Sequence, residues 1–341
     1  MKKTILLLSL VCVAVFSLHA RGQNQGTSTA AVEDPNYVVK IGRGVSVGLC
    51  TSPFVIAEHF GYYEEEGLKW ESITMETGQA NLLLTTGAVD VTNNLLATLI
   101  QPIANGLDVK IPLGIHTGCQ KVLVRVDSDI YTPADLRGKR IGTTGMASSG
   151  TVITQRYLAE LGIGVTADNL EVEWLIYQQA DLPLALERGQ VDAIALGDPT
   201  AYIVEQEGKA RVIINQATDD YLKDEFCCVV VASASFVKDH PEAAAKFTRA
   251  IQKAAAFVQE NPDETARILD ERKYVAGDPE VNAAILKTYN FRASVSEAEV
   301  AISRNTRDLQ QINLVDKDVD PDALTRNVFI ALPGVPDSLY K

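Results

Sequence analysis

Apolar and polar positions alternate between short strand-like runs and stretches with helical spacing. Val45-Ser-Val-Gly-Leu49 predicts a strand, and Ser52 and Pro53 mark the start of a helix that ends near Gly61. Gly67 turns the chain into a second strand, Leu68 to Met75, followed by a short helix over 79–86 that Gly87 closes. Val89-Asp-Val91 is strand-like, 94–104 helical, and Val109 to Ile115 a strand again. The same rhythm resumes with a strand at 140–143, a helix at 149–161 and a strand at 170–175. A helix at 180–188, strand 191–196, helix 199–207 and strand 211–215 complete this second unit. Such alternation predicts an α/β fold, each unit a mainly parallel sheet covered by helices on both faces.

Two strands connect the units. Lys121 to Val126 leaves the first, and the apolar Cys227 to Ser233 returns to it. Residues 39–123 and 228–341 are therefore expected to form domain 1, with 124–227 inserted as domain 2 and the two crossings acting as a hinge. Beyond the return, Pro241 to Glu260 sets Phe247, Ile251, Ala254 and Val258 on one helical face. Asn261-Pro-Asp-Glu264 carries the cap, proline and glutamate of a further helix start. These helices are expected to cover domain 1.

Lys2 and Lys3 precede an apolar run from Ile5 to Leu18, too short for a membrane span, and Ala20 offers a cleavage position. Residues 1–20 thus read as an export signal and 21–38 as a flexible segment, which locates the mature chain outside the cytoplasm. Cleavage moves the formal charge from -13 to -15, which argues against nucleic acid as a partner. A monomer is expected.

Ligands of doubly wound sheets lie beyond the carboxyl ends of the parallel strands. The segments there are Cys50, Thr51, Ser52 and Phe54; Gln79; Asn93-Asn94; His116 and Thr117; and Asp198 with Tyr202. Met146, Ser148, Ser149 and Thr151 form a Gly- and Ser-rich turn into a helix, whose free N–H groups and hydroxyls suit a singly charged or zwitterionic group. Asp198 can hold an ammonium group or cap its helix; Phe54 and Tyr202 can supply apolar walls or core. Four cysteines remain after cleavage: Cys50, Cys119, Cys227 and Cys228. The last two, adjacent in a strand, should point to opposite faces, so that one can meet Cys119. Buried thiols and a disulfide are both open, and the spacing gives no metal motif. No cofactor is expected. Hydrolase, zinc-protease and nucleotide-loop patterns are absent from the sequence.

In four stretches the chain resembles the periplasmic substrate-binding proteins of ABC importers for nitrate, sulfonates, taurine and thiamine precursors. They are Pro53-Phe-Val-Ile-Ala-Glu-His-Phe-Gly-Tyr-Tyr-Glu-Glu-Glu-Gly-Leu68, Thr132-Pro-Ala-Asp-Leu-Arg-Gly-Lys-Arg-Ile-Gly142, Leu184-Ala-Leu-Glu-Arg-Gly-Gln-Val-Asp-Ala193 and Phe236-Val-Lys-Asp-His-Pro-Glu242. The similarity spans roughly residues 43–310. It implies a two-lobed type II binding protein that closes on a small polar or anionic solute and delivers it to a membrane permease. By the same resemblance, residues 50–54, Gln79, His116 and 148–151 face the cleft. A pyrimidine thiamine precursor, or another flat heterocycle, is the alternative ligand. An exported enzyme on the same scaffold is the alternative of another class.

Overall fold

The computed structural model describes residue 34 and residues 36–340, apart from 45–47 and 77. The export signal expected over 1–20 lies outside the described residues. The chain runs β1 (Val38–Gly44), α1 (Ser52–Phe60), α2 (Tyr62–Glu65), β2 (Lys69–Met75), α3 (Ala80–Thr86), β3 (Val91–Leu95), α4 (Leu96–Ala104) and β4 (Val109–Thr117). It enters a second sheet through β5 (Gln120–Arg125), then β6 (Arg140–Thr143), α5 (Ser149–Glu160) and a minimal hairpin, β7 (Val165–Thr166) with β8 (Asn169–Leu170). β9 (Glu173–Ile176), α6 (Leu182–Glu187), β10 (Ala193–Gly197), α7 (Thr200–Gln206) and β11 (Ala210–Asn215) follow. β12 (Phe226–Ser233) returns to the first sheet. The remainder is helical: α8 (Ala234–Asp239), α9 (Pro241–Glu260), α10 (Pro262–Glu271), α11 (Pro279–Leu286), α12 (Ser296–Gln311) and α13 (Pro321–Val328).

The first strand lies earlier than the sequence pattern placed it. Residues 45–47 of the expected strand are outside the described residues, and Leu49–Thr51 form a single tight turn. Val38–Gly44 pairs in register with Lys69–Met75 instead, burying Val39 and Ile41. Tyr37, in the segment expected to be flexible, stacks on His240 with ring centroids 3.5 Å apart.

Both sheets are mixed, each with four strands running one way and a single strand against them. Their strand orders are β2-β1-β3-β12-β4 and β11-β5-β10-β6-β9. In the first, β1 is parallel to β2 and β3, while β12 is antiparallel to β3 and β4. In the second, β6 is parallel to β9 and β10, while β5 is antiparallel to β10 and β11. The reason is topological. β4 ends at Thr117 and β5 begins at Gln120, so the chain passes between lobes at the carboxyl edge of the first sheet. A strand that enters a lobe from this shared edge must run away from it, against the parallel strands. β5 and β12 are those entering strands, and each presents its amino end at the junction.

Successive residues of β12 serve different cores. Val230 and Ala232 pack under α1 and α9, whereas Val229 and Val231 join a core that continues through α4, α5 and α12 to Val122 and Ile141 of the second sheet. The two lobes therefore share apolar packing. A third core, with Leu186, Leu196 and Ala201, lies under α6 and α7. On α9, Phe247, Ile251, Ala254 and Val258 are all buried, as their spacing predicts.

At the junction Arg156, fully buried on α5, donates to Glu225 at 2.6 and 2.7 Å, to Asp308 at 2.5 and 3.2 Å and to Asn305 at 2.9 Å. Burial would lower the guanidinium pKa, but the carboxylates of Glu225 and Asp308 more than reverse this and hold the charge. This network joins the second lobe to the return connection and to α12. The two connections also touch: Gly118 has φ +72°, and a Cβ there would sit 2.5 Å from Ala217 Cβ. Only glycine fits this position.

Candidate functional site

A cleft of about 360 Å³ opens where the lobes meet. Gly44, Cys50, Thr51, Met75, Glu76, Thr92, Asn93, Asn94, Leu95 and Cys228 line it from the first lobe, and Cys119, Gln120 and Asp198 face them. Its first-lobe wall is built from the ends of β1, β2 and β3 and the turns leading into α1, α3 and α4. Free N–H groups at such turns favour an anionic group. Asn94 accepts from Leu95 N at 2.8 Å, which fixes the start of α4.

The opposite wall carries charge. The Asp198 side chain is almost fully buried, and its Oδ1 accepts from Tyr202 N at 3.0 Å and lies 3.6 Å from Lys121 Nζ. Its other oxygen, Oδ2, makes no well-formed hydrogen bond, although the Tyr289 hydroxyl lies near the carboxylate. Burial raises the Asp198 pKa above the ordinary carboxylate value, against the opposing pull of Lys121. Lys121 is itself buried, 3.3 Å from Glu205 and 5.2 Å above the Tyr202 ring. Gly197 leaves room for the Gln120 side chain, whose Nε2 would lie 2.9 Å from a Cβ there.

Of the residues predicted from sequence, Cys50, Thr51 and Asp198 line this cleft together. Gln79 is exposed between lining residues Gly78 and Ala80, and its Oε1 accepts from Glu76 N at 3.1 Å. Tyr202 stands behind Lys121 and packs against the first-lobe core. Phe54 and Ser52 face inward: Phe54 meets the edge of Phe247 at 5.6 Å, and Ser52 Oγ donates to Leu49 O at 2.6 Å. Thr117 lines a separate depression with Arg292 and Asp337. At the start of α5, Ser148 accepts from Thr151 N at 3.5 Å, and Thr151 Oγ1 donates to Gly145 O at 2.7 Å, so these hydroxyls hold the helix cap. Met146 is exposed and Ser149 half-buried, and neither lines the cleft.

His116 is fully buried rather than cleft-lining. Its ring stacks parallel to Tyr289 at 5.3 Å, and Nδ1 lies 3.3 Å from Thr117 O. The thiols gather beside it. Cys227 and Cys228 do not point to opposite faces, because the β12–β4 register shifts on both sides of Cys228, and both thiols reach Cys119. Cys119 Sγ and Cys227 Sγ lie 2.6 Å apart.

Gln120 and Cys228 were missed as cleft residues because they sit near the starts of strands. Searching beyond the carboxyl ends finds parallel strands only; β5 and β12 enter from the cleft and offer their first residues to it. The available signal was the polar pair Gln120-Lys121 heading the apolar run Val122-Leu-Val124.

A family model described as NMT1/THI5 like matches residues 51–265. A Bacillus subtilis (strain 168) protein assigned by name to aliphatic sulfonate binding is 26% identical over 340 residues, covering 97% of this chain and 96% of that protein. The periplasmic aliphatic sulphonate binding protein of Escherichia coli has a similar structure, with a TM-score of 0.68 at 19% identity over 86% of this chain and 97% of that one. A 4-amino-5-hydroxymethyl-2-methylpyrimidine phosphate synthase from Aspergillus parasiticus is 23% identical over 80% of this chain and 81% of its own length.

Proposed function

Because the chain belongs to the NMT1/THI5-like family, we propose that it is an extracytoplasmic solute-binding protein that captures a small polar solute between its lobes and delivers it to the permease of an ABC importer. It is a binding protein, not an enzyme. One lobe holds β1–β4, β12 and the C-terminal helices and the other holds β5–β11, a boundary a few residues earlier than 123 and 227, and the paired connections around Gly118 and Ala217 are the hinge on which they close.

The solute is a zwitterion of the amino-sulfonate kind. The observation that carries this reading is the Asp198 carboxylate in the cleft, whose Oδ2 makes no well-formed hydrogen bond although the Tyr289 hydroxyl lies near the carboxylate. An ammonium group supplies what it lacks, since an unpaired buried acceptor costs about 1–3 kcal/mol. The turns into α1 and α4, with the amides of Asn93 and Asn94, offer donors to the anionic end on the facing wall. Lys121 is already paired with Asp198 and Glu205, which disfavours a purely anionic solute. A pyrimidine is the second reading, supported by the likeness to the fungal synthase.

Titration calorimetry with 2-aminoethanesulfonate, ethanesulfonate, nitrate and a hydroxymethylpyrimidine separates these readings. The amino-sulfonate should bind one to one, with ethanesulfonate roughly 10–100-fold weaker for want of the bond to Asp198. Equal binding of ethanesulfonate and the amino-sulfonate would remove the ammonium assignment. Preference for the pyrimidine would replace the ligand class, and its chemical conversion would overturn the non-catalytic role.

A further inference from the structure

We propose that Cys50, His116 and Cys228 form a binding site for a thiophilic d10 cation, represented by Zn²⁺, on the floor of the cleft. The three donor atoms come from different parts of the chain and lie within 4.8 Å of one another. Cys50 is the middle residue of the turn before α1, His116 is near the end of β4 and Cys228 near the start of β12. A tetrahedral zinc ion with Zn–S near 2.3 Å places its donors roughly 3.5–3.8 Å apart, so side-chain adjustment of about 1 Å closes the set.

A second observation points the same way. His116 Nε2 is buried and has no hydrogen-bond partner. A buried imidazole nitrogen without a partner is costly, and the Cys50 and Cys228 thiols beside it are weak partners but strong metal ligands once deprotonated. The ring is held against Tyr289 and Phe291 at 5.3 and 5.0 Å, which fixes its direction, as ligating histidines require. Two thiolates and one imidazole match the donor set of zinc sites that retain an open position. Cys50 and Cys228 both line the cleft, so the open position faces the space where a solute enters.

The donor chemistry selects the cation class. Sulfur and imidazole favour Zn²⁺ or Cu⁺ over Mg²⁺ and Ca²⁺, which take oxygen ligands. Glu76 and Asp198, also at the cleft, add negative charge that favours a cation.

The test is a Co²⁺ titration of the mature full chain, kept reduced with a non-thiol reductant, followed by displacement with Zn²⁺. The expected result is one Co²⁺ per chain, with thiolate charge-transfer absorption that Zn²⁺ abolishes. Loss of an outer-shell partner alone costs about 10–100-fold in metal affinity, so Cys50→Ser and Cys228→Ser should each weaken binding at least that much. Cys227→Ser, which removes a neighbour of Cys228 rather than a ligand, should weaken it less than either. Thermal melts of the metal-free variants show whether each is folded, and Cys50, being half-buried, is the variant best able to tolerate the change. Absence of a thiolate band in the folded reduced protein overturns the site. So does unchanged affinity in both the Cys50 and Cys228 variants, or an equal loss in Cys227→Ser.

Discussion

Replacing Arg156 with methionine should destabilise the protein by about 3 kcal/mol. The guanidinium has five N–H donors, and each finds an acceptor among Glu225, Asp308 and Asn305. Arg156 and Glu225 are almost completely buried, so the variant strands a carboxylate out of water. Breaking such a pair from one side costs about 3–5 kcal/mol. The lower end applies because Arg304 Nε lies 3.6 Å from Glu225 and 3.9 Å from Asp308 and can take over part of the load. Asn305 and the Tyr221 hydroxyl also still donate, at 2.7 and 2.8 Å. The two tryptophans fall one to each sheet, Trp70 on β2 and Trp174 on β9. Urea unfolding of single-tryptophan versions therefore reads each lobe separately. The Arg156→Met transition should move to lower urea, with the Trp174 signal preceding that of Trp70. Adding Glu225→Gln and Asp308→Asn should restore at least half of the loss, because no charge is then left unpaired. A loss below about 1 kcal/mol in Arg156→Met would show that solvent reaches the network and that the lobes are not joined through it.

Further outcomes follow from the hinge, the cleft and an exposed-edge ion pair. Gly118→Ala should cost about 1–2 kcal/mol from its left-handed backbone alone, with more from the Ala217 contact, and should reduce the compaction seen by small-angle scattering on adding solute. Asp198→Asn should weaken binding of 2-aminoethanesulfonate by about 10–100-fold, measured by calorimetry, while leaving the melting temperature equal to or above that of the parent. The Asp198 pKa is raised by burial, so its charged form is lost on acidification at a higher pH than for an ordinary carboxylate. Affinity for the amino-sulfonate should fall as pH drops through that raised value, and Asp198→Asn should abolish this part of the pH profile. Asp192 is shifted the other way: hydrogen bonds from Arg140 at 2.8 and 3.1 Å lower its pKa. Its contribution to stability is present above the unfolded-state value, near 3.9, and is lost as pH falls through the lower folded value. Asp192→Asn should therefore flatten the acid side of a stability-against-pH curve.

Most of the architecture was legible because periodicity reports burial. The Cys227–Ser233 run is apolar throughout since β12 is covered on both faces, and α9 shows its buried stripe because one face alone meets the core. β1 was misplaced by its composition. Lys40, Arg43 and two glycines dilute the alternation of Val39 and Ile41, and partner strands rather than local pattern set its register. The reversed direction of the two crossing strands was not legible. A strand reads alike in either sense, and β5 and β12 are antiparallel only because the chain crosses lobes at one edge. That single fact also hid Gln120 and Cys228 from a search of carboxyl ends. The cysteine geometry depended on a register shift, which leaves no mark in the sequence. His116 was found for the wrong environment: it sits behind the cleft, among aromatic rings and thiols.

The central claim is that the cleft between the lobes holds one small polar solute without converting it. Native mass spectrometry of the gently purified mature chain, repeated after denaturation, tests this most directly. The account predicts that one small molecule per chain is released intact, or that an empty chain takes up one 2-aminoethanesulfonate and returns it unchanged. A chain that binds none of the sulfonates, nitrate, amino acids or pyrimidines offered, or that releases a chemically altered product, would contradict it.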